Sequence, residues 1–460
     1  MAAGRNQDEQ FFARLRADEY ARLDATGAAY LDYAGSALYA DSQLRAHHDQ
    51  LRSDVFGNPH SEHGPSVAST AALDAARDLV LRHFGVSNAT HAVCFTANTT
   101  AAIKLVAEGF AFSPARSLLL SQDNHNSVNG LREFASRAGA AVHYVGLDDQ
   151  LKLVGPVDAL REHAGRAGLF AFPAQSNFSG VLHPLALVAE ARAHGWRVLL
   201  DAASFAPTHP LNLSECEADF VPVSFYKMFG YPGGLGALIA RRDALAGLHR
   251  PWFSGGTVDY VSVQHHRHQL RAGHEGFEDG TPDFLSAAAL PAGFAVLERV
   301  GQPRLAARVR ALTAQFLNRL QALQHHDGRP AIVVYGPPDE CSRGGVVAFN
   351  VIDADGHVVP YWEIEAAARA HGLAMRGGCF CNPGAAEAAF RFDATRTAAC
   401  FAQLGRDFTI PGFARCLGPE AVVGAVRASF GIPTSAHDID RALVFLETFA
   451  QSSALDIRMK

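Results

Sequence analysis

Between about residues 92 and 240 the chain keeps one rhythm. A short, wholly apolar run is followed by a longer amphipathic stretch, and the pattern then repeats. The runs are Ala92–Phe95, Ser117–Leu120, Ala141–Val145, Leu169–Phe172, Arg197–Leu200, Phe220–Val223 and Ala237–Ala240. Strands buried on both faces read as continuous apolar segments, and strands alternating with helices build a parallel sheet. The spacing therefore predicts an α/β protein with a mainly parallel seven-stranded sheet.

The residues just after the runs carry the polar chemistry. Phe95 leads into Thr96-Ala97-Asn98-Thr99-Thr100, Leu120 into Ser121-Gln122-Asp123-Asn124-His125, and Phe172 into Pro173-Ala174-Gln175-Ser176-Asn177. Leu200 leads into Asp201-Ala202-Ala203-Ser204, and Val223 into Ser224-Phe225-Tyr226-Lys227. In open α/β sheets ligands bind beyond the carboxyl ends of the strands. All five segments should then face one crevice.

A second region starts near residue 290. Ala287–Val300 reads as a helix broken by Gly301-Gln302-Pro303, Ile332–Tyr335 and Val346–Val351 as strands, and Gly336–Gly345 as a surface loop. Trp362–His371 reads as a helix, Ala425–Phe430 as a strand and His437–Gln451 as a closing helix. The expected division is an N-terminal segment (1–29), a large domain (30–288) and a smaller α+β domain (289–460).

Composition narrows the class. The chain has 460 residues, 48% of them hydrophobic, and a net charge of −6. That balance gives no electrostatic footprint for nucleic acid or an anionic membrane. No apolar run approaches the roughly 18 residues of a membrane helix, and MAAGRNQDEQ lacks the apolar core of a secretory signal. The seven cysteines (94, 216, 341, 379, 381, 400 and 416) are widely spaced, which suits a reducing compartment better than a disulfide scaffold. The expected location is the cytoplasm.

Within the crevice, Lys227 stands at a strand end before Met228-Phe229-Gly230. Alone it would read as a loop lysine reaching for solvent. Asp201, 26 residues earlier, changes that reading. Pyridoxal phosphate needs a lysine for its aldehyde and a carboxylate for its pyridinium nitrogen. Asp201 could instead be a helix N-cap. Thr99 and Thr100, where a strand turns into a helical pattern, suit a phosphate as well as they suit an ordinary cap. His125 could stack on the cofactor ring or be a structural histidine. Arg376–Gly384 reads as an irregular Gly-rich loop carrying Cys379 and Cys381. Such a cysteine can be a nucleophile. The C-x-C spacing is not that of a zinc pair, and a redox pair is the other alternative. The His265, His266 and His268 cluster reads as a polar loop.

Eight segments in order resemble the class V aminotransferase branch of fold-type-I PLP enzymes: YLDYAG (30–35), GNPHS (57–61), PAQSNFSG (173–180), LDAAS (200–204), SFYKMFGYPGGLGAL (224–238), FEDGTP (277–282), RGGCFCNPGA (376–385) and VRASFG (426–431). Within that branch the sequence looks like cysteine desulfurases, above all the N-terminal domain of molybdenum cofactor sulfurases. The resemblance implies that Lys227 binds the cofactor covalently and moves protons, Asp201 pairs with the pyridine nitrogen, and His125 stacks on the ring. It implies that Ser204 and Asn177 lie near the phenolic oxygen, with Asn177 also near the substrate carboxylate. Thr99, Thr100, Ser224 and Tyr226 would hold the phosphate, and Thr281 would reach the phosphate of a second subunit, which implies a homodimer. Arg427 would clamp the substrate α-carboxylate, and Cys381 would take the sulfur of L-cysteine as a persulfide, releasing L-alanine. Tyr226 in place of histidine and Ser204 in place of glutamine follow the molybdenum cofactor branch, whereas Ala386 stands where that branch often has a further cysteine. The sequence offers no counterpart of the second domain of full sulfurases, so the sulfur acceptor is left unidentified. Other expectations stay open: an aminotransferase, carbon–sulfur lyase or epimerase of the same fold, or a catalytically silent sulfur-relay or scaffold protein.

Overall fold

The computed structural model describes residues 2–418 and 421–450. Seven strands form the large sheet: β1 (His91–Thr96), β2 (Leu118–Ser121), β3 (Val142–Val145), β4 (Leu169–Pro173), β5 (Arg197–Asp201), β6 (Phe220–Ser224) and β7 (Gly236–Arg241). Their order is β1-β7-β6-β5-β4-β2-β3, and only β7 runs against the rest. Each apolar run of the sequence is one of these strands.

Side chains alternate across the sheet with period two. Leu119, Phe170, Phe172, Val198 and Leu200 enter one core, with Phe225, Phe229 and Phe294. Leu118, Leu120, Leu169, Ala171 and Leu199 enter the other. Helix α1 (Thr99–Gly109) covers this second face through Ile103 and Val106. Two buried faces explain why the strands read as unbroken apolar runs rather than alternating ones.

The first core also takes Leu290 and Leu297 of α2 (Phe284–Val300). At Gly301, with φ 77°, the chain turns and a further helix begins at once, α3 (Gln302–Gln321). The sequence reading stopped at this break and missed α3. A proline in the first helical turn is compatible with helix, since the amide it lacks would be unpaired there anyway. Helix α3 packs Leu312, Phe316 and Leu320 onto an antiparallel sheet of β8 (Ile332–Tyr335), β9 (Val346–Val351), β10 (Arg376–Gly378) and β11 (Ala425–Ser429), in the order β8-β9-β11-β10. Ala29 and Leu31 join this second core, and Ala29–Tyr30 pairs in parallel with Leu373–Ala374. The closing helix runs Ala436–Ala450; its expected last residue, Gln451, lies outside the described residues.

Two expectations need correction. The segment Arg376–Gly384 is not irregular throughout. β10 pairs with β11, and helix α4 (Pro383–Ala389) starts where the Asn382 side chain accepts from the Ala385 amide. Only the tight turn between them, which carries Cys379, Phe380 and Cys381, is irregular. Second, Cys400 and Cys416 are joined as a disulfide, linking α5 (Ala394–Leu404) to α6 (Ile410–Leu417). The other five cysteines are free thiols.

Gly180 ties the two sheets together. Its φ is 80°, and a Cβ there would overlap the Val346 carbonyl oxygen on β9. Gly180→Ala is therefore expected to destabilise the protein by about 2 kcal/mol or more. A fall in the calorimetric unfolding temperature would register this, and an unchanged temperature would show that the contact is slack.

Candidate active site

At the carboxyl end of the large sheet a cavity of about 300 Å³ opens. It is lined from all five segments expected to converge there: Asn98, Thr99 and Thr100; His125; Gln175 and Asn177; Asp201 and Ser204; Ser224, Tyr226 and Lys227. The parallel strands end in register, so the turns that follow them face a common space.

One wall is the start of α1. Asn98 caps the helix by accepting from the Ala101 amide (3.0 Å). The Thr99 amide donates to Ser224 Oγ (3.0 Å), the Thr99 and Ser224 hydroxyls meet at 2.6 Å, and Thr100 Oγ1 meets Ser127 Oγ at 2.7 Å. Four hydroxyls gathered at a helix N-terminus are suited to an anion of phosphate size.

The titratable groups line the same cavity, and His125 Nδ1 meets Ser127 Oγ at 3.0 Å. Lys227 belongs to a short helix, Phe225–Phe229, that follows β6 directly. Desolvation holds its ammonium below the ordinary lysine range; Asp201 opposes that shift, and Arg427 and Arg376 add to it. His125 is likewise lowered by desolvation, with Asp201 opposing and Lys227 and Arg427 adding, so its ring is neutral at pH 7. Asp201 is buried, and its Oδ1 accepts from the Ala203 amide (3.0 Å). A lysine short of water, a buried carboxylate and a hydroxyl-lined helix start fit an aldehyde, a pyridinium nitrogen and a phosphate respectively. Pyridoxal phosphate carries all three.

Arg427 and Cys381 are near this cavity but do not form its wall. Arg427 is buried on β11. Its Nη1 donates to the Asn177 carbonyl (2.7 Å) and its Nη2 to Asp32 Oδ1 (3.1 Å), while Nε is buried without a partner. The Phe380 ring covers the guanidinium at 4.5 Å. Asp32 also takes a forked pair of bonds from Arg376. Cys381 is exposed, within electrostatic reach of Arg427. Phe380 and Cys381 adopt left-handed backbone, with φ 55° and 56°. For residues with a Cβ this costs about 1–2 kcal/mol each, so surrounding contacts must hold them. Asn177 Nδ2 donates to the Phe380 carbonyl (2.6 Å), and the Asn126 amide donates to that of Cys381 (2.7 Å). Cys379 is partly buried and its thiol is pushed up, chiefly by desolvation. Of the two, Cys381 is thus the more available nucleophile.

Thr281 lies away from the cavity, where Asn58 Nδ2 approaches its hydroxyl at 3.4 Å. Sequence reasoning missed Ser127 in the lining and Asp32, Arg376 and Asn382 behind it; it placed Gln175 and Asp123 in crevice segments but gave them no role. Asp32, Gln175, Arg376 and Asn382 fall inside motifs that the resemblance quoted, yet only their long-range partners reveal what they do.

A family model described as Aminotransferase class-V matches residues 29–442. Among curated proteins, molybdenum cofactor sulfurase 3 of Aedes aegypti is 36% identical over 93% of this chain and 57% of its own length. Molybdenum cofactor sulfurase of Arabidopsis thaliana is 38% identical over 81% of this chain and 50% of its own. The chain thus spans little more than half the length of these relatives. Among solved structures, an apo cysteine desulfurase from Thermococcus onnurineus NA1 superposes with a TM-score of 0.79 at 24% identity, covering 95% of this chain and 98% of that one. A cystine C–S lyase in complex with cysteine persulfide gives 0.69 at 18%, covering 92% and 98%. At these identities the superpositions establish the fold.

The lowered pKa of Lys227 sets a test on the cofactor-free protein. At pH 7 a small aldehyde with cyanoborohydride should modify Lys227 ahead of the surface residue Lys104, and the preference should shrink as the pH rises toward the ordinary lysine value. Asp201 raises this pKa, so Asp201→Asn should lower it further and widen the preference at pH 7. Peptide mass spectrometry reads both, and equal labelling of the two lysines would contradict the desolvation argument.

Proposed function

The chain belongs to the class-V aminotransferase family, and from that premise we propose that it is a pyridoxal phosphate-dependent cysteine desulfurase. On this reading it converts L-cysteine to L-alanine and leaves the sulfur as a persulfide on Cys381. The observation that carries the reading is the position of Cys381, an exposed thiol on a turn whose backbone is fastened to Asn126 and Asn177, beside the cavity that presents Lys227 and Asp201.

Bound in this cavity, pyridoxal phosphate supplies an electron sink for a carbanion at the substrate α-carbon. The chain's residues do the rest. Lys227 holds the cofactor and, being easily deprotonated, carries the proton to and from the α-carbon. Asp201 would keep the ring nitrogen protonated, the neutral His125 would pack against the ring, and Ser204 and Asn177 would hold the phenolic oxygen. Thr99, Thr100, Ser224 and Tyr226 seat the phosphate at the start of α1. Arg427 takes the substrate carboxylate, for which its buried Nε is a waiting donor.

Sulfur extraction balances without an outside oxidant or reductant. The Cys381 thiolate attacks the substrate sulfur, an S–S bond forms and the Cβ–S bond breaks. The electron pair goes to carbon, which is protonated to the methyl group of alanine. The carbon is reduced and the transferred sulfur oxidised to the persulfide level. Exposure of Cys381 lets an acceptor collect that sulfur from the solvent side. We place the reaction in the cytoplasm. Thr281, exposed outside its own cavity, would reach the phosphate of a second copy in a homodimer, as the family resemblance implies.

Protein supplied with pyridoxal phosphate, L-cysteine and a thiol reductant should yield alanine and sulfide in equal amounts. Cys381→Ala should lose this turnover and keep the cofactor absorption band. Pyruvate and ammonia in place of alanine would overturn the reading in favour of a lyase. Arg427→Lys should raise KM for L-cysteine about ten- to a hundredfold, the scale of a lost charged hydrogen bond; an unchanged KM would remove the residue from substrate binding.

A further inference from the structure

Asp123 stands two residues before His125, and the reaction proposed above makes no use of it. It is fully buried. Its Oδ1 accepts from Ser176 Oγ (2.8 Å) and from Asn382 Nδ2 (2.6 Å), and its Oδ2 faces His183 Nε2 at 2.8 Å. Ser176 and His183 hold the carboxylate within the large domain. Asn382, which directly follows Cys381, belongs to the small one.

Every polar atom of the Asn382 side chain is engaged. Nδ2 donates to Asp123 and to Asn177 Oδ1 (3.0 Å), and Oδ1 accepts from the Ala385 amide (3.2 Å) to cap α4. With the bonds from Asn177 and Asn126 to the carbonyls of Phe380 and Cys381, three consecutive residues are fastened to the large domain. Two of those three are in left-handed backbone. Such a conformation persists only where its surroundings overdetermine it. The bond to Asp123 is the charge-assisted member of the set, and it lies out of water, where it is strongest.

We propose that Asp123 and Asn382 form a buried latch that positions the Cys381 turn against the cavity. The role in catalysis rests on the reading of Cys381 as sulfur acceptor. Closed, the latch fixes the thiol for attack on the substrate sulfur. Released, it relaxes the left-handed pair and lets the turn carry its persulfide outward. Neither residue lines the cavity; both act through the placement of Cys381.

The test uses the holoenzyme and two variants. Asn382→Asp and Asn382→Ser both keep a good helix cap, and neither has the amide NH2 with which asparagine donates to Asp123 and Asn177 at once. Amide hydrogen exchange without substrate should quicken about tenfold or more in residues 376–382 and at Asn126, on the scale of one lost charged hydrogen bond. With L-cysteine, kcat for alanine should fall by about the same factor, while KM and the cofactor absorption band stay as in the parent. Asp123→Asn, which keeps an acceptor without its charge, should fall between. Unchanged exchange in the Asn382 variants would overturn the latch, whatever reaction the protein performs. Faster exchange with unchanged kcat would overturn the positioning role. Faster exchange in a protein whose parent makes no alanine would support the latch and overturn the reaction instead.

Discussion

A guanidinium taken out of water must be neutralised and hydrogen-bonded where it lies, and Arg427 is where distant parts of this chain meet to do so. Asp32 reaches it from the stretch just after Ala29–Tyr30 and Asn177 from the turn after β4, while Phe380 covers it from the turn that carries Cys381. Without Asp32 the buried charge would be uncompensated, and without the Asn177 carbonyl it would lose a hydrogen bond. Asp32 also pairs with Arg376, at the start of the strand that leads into that turn. The position of the reactive cysteine is in this way tied to the group proposed to hold the substrate.

The cavity uses the same physics with the opposite sign. Around Lys227 and His125, burial away from water outweighs what Asp201 returns, and neighbouring cations add to it, so both bases are held below their usual range. Two bases held below their ordinary range, beside one buried carboxylate, suit proton traffic at a substrate carbon. The hydroxyl-lined start of α1 provides the complementary end, drawing an anion without adding a titrating group.

Much of this was legible in the sequence. The seven apolar runs are the seven strands, because burial on both faces leaves a continuous signature, and the polar residues after five of them share one cavity. What stayed hidden depends on pairing across long separations. Asp32 and Arg376 are 344 residues apart and Asp123 and Asn382 are 259 apart, and local pattern carries no trace of either contact. The strand Arg376–Gly378 escaped notice because two glycines mask it and its order comes from β11. Helix α3 escaped because a glycine and a proline read as a stop when they mark a bend. The Cys400–Cys416 disulfide was unforeseen, since wide cysteine spacing says nothing about which side chains two packed helices bring together.

The central claim is that sulfur leaves the substrate by moving onto Cys381. A single-turnover reaction with L-cysteine and no reductant tests it most directly, with alanine counted per active site and every cysteine-containing peptide weighed. The account predicts one alanine per site, matched by one added sulfur atom on the Cys381 peptide. Alanine formed with Cys381 unmodified, or the added sulfur found on Cys379, would contradict it.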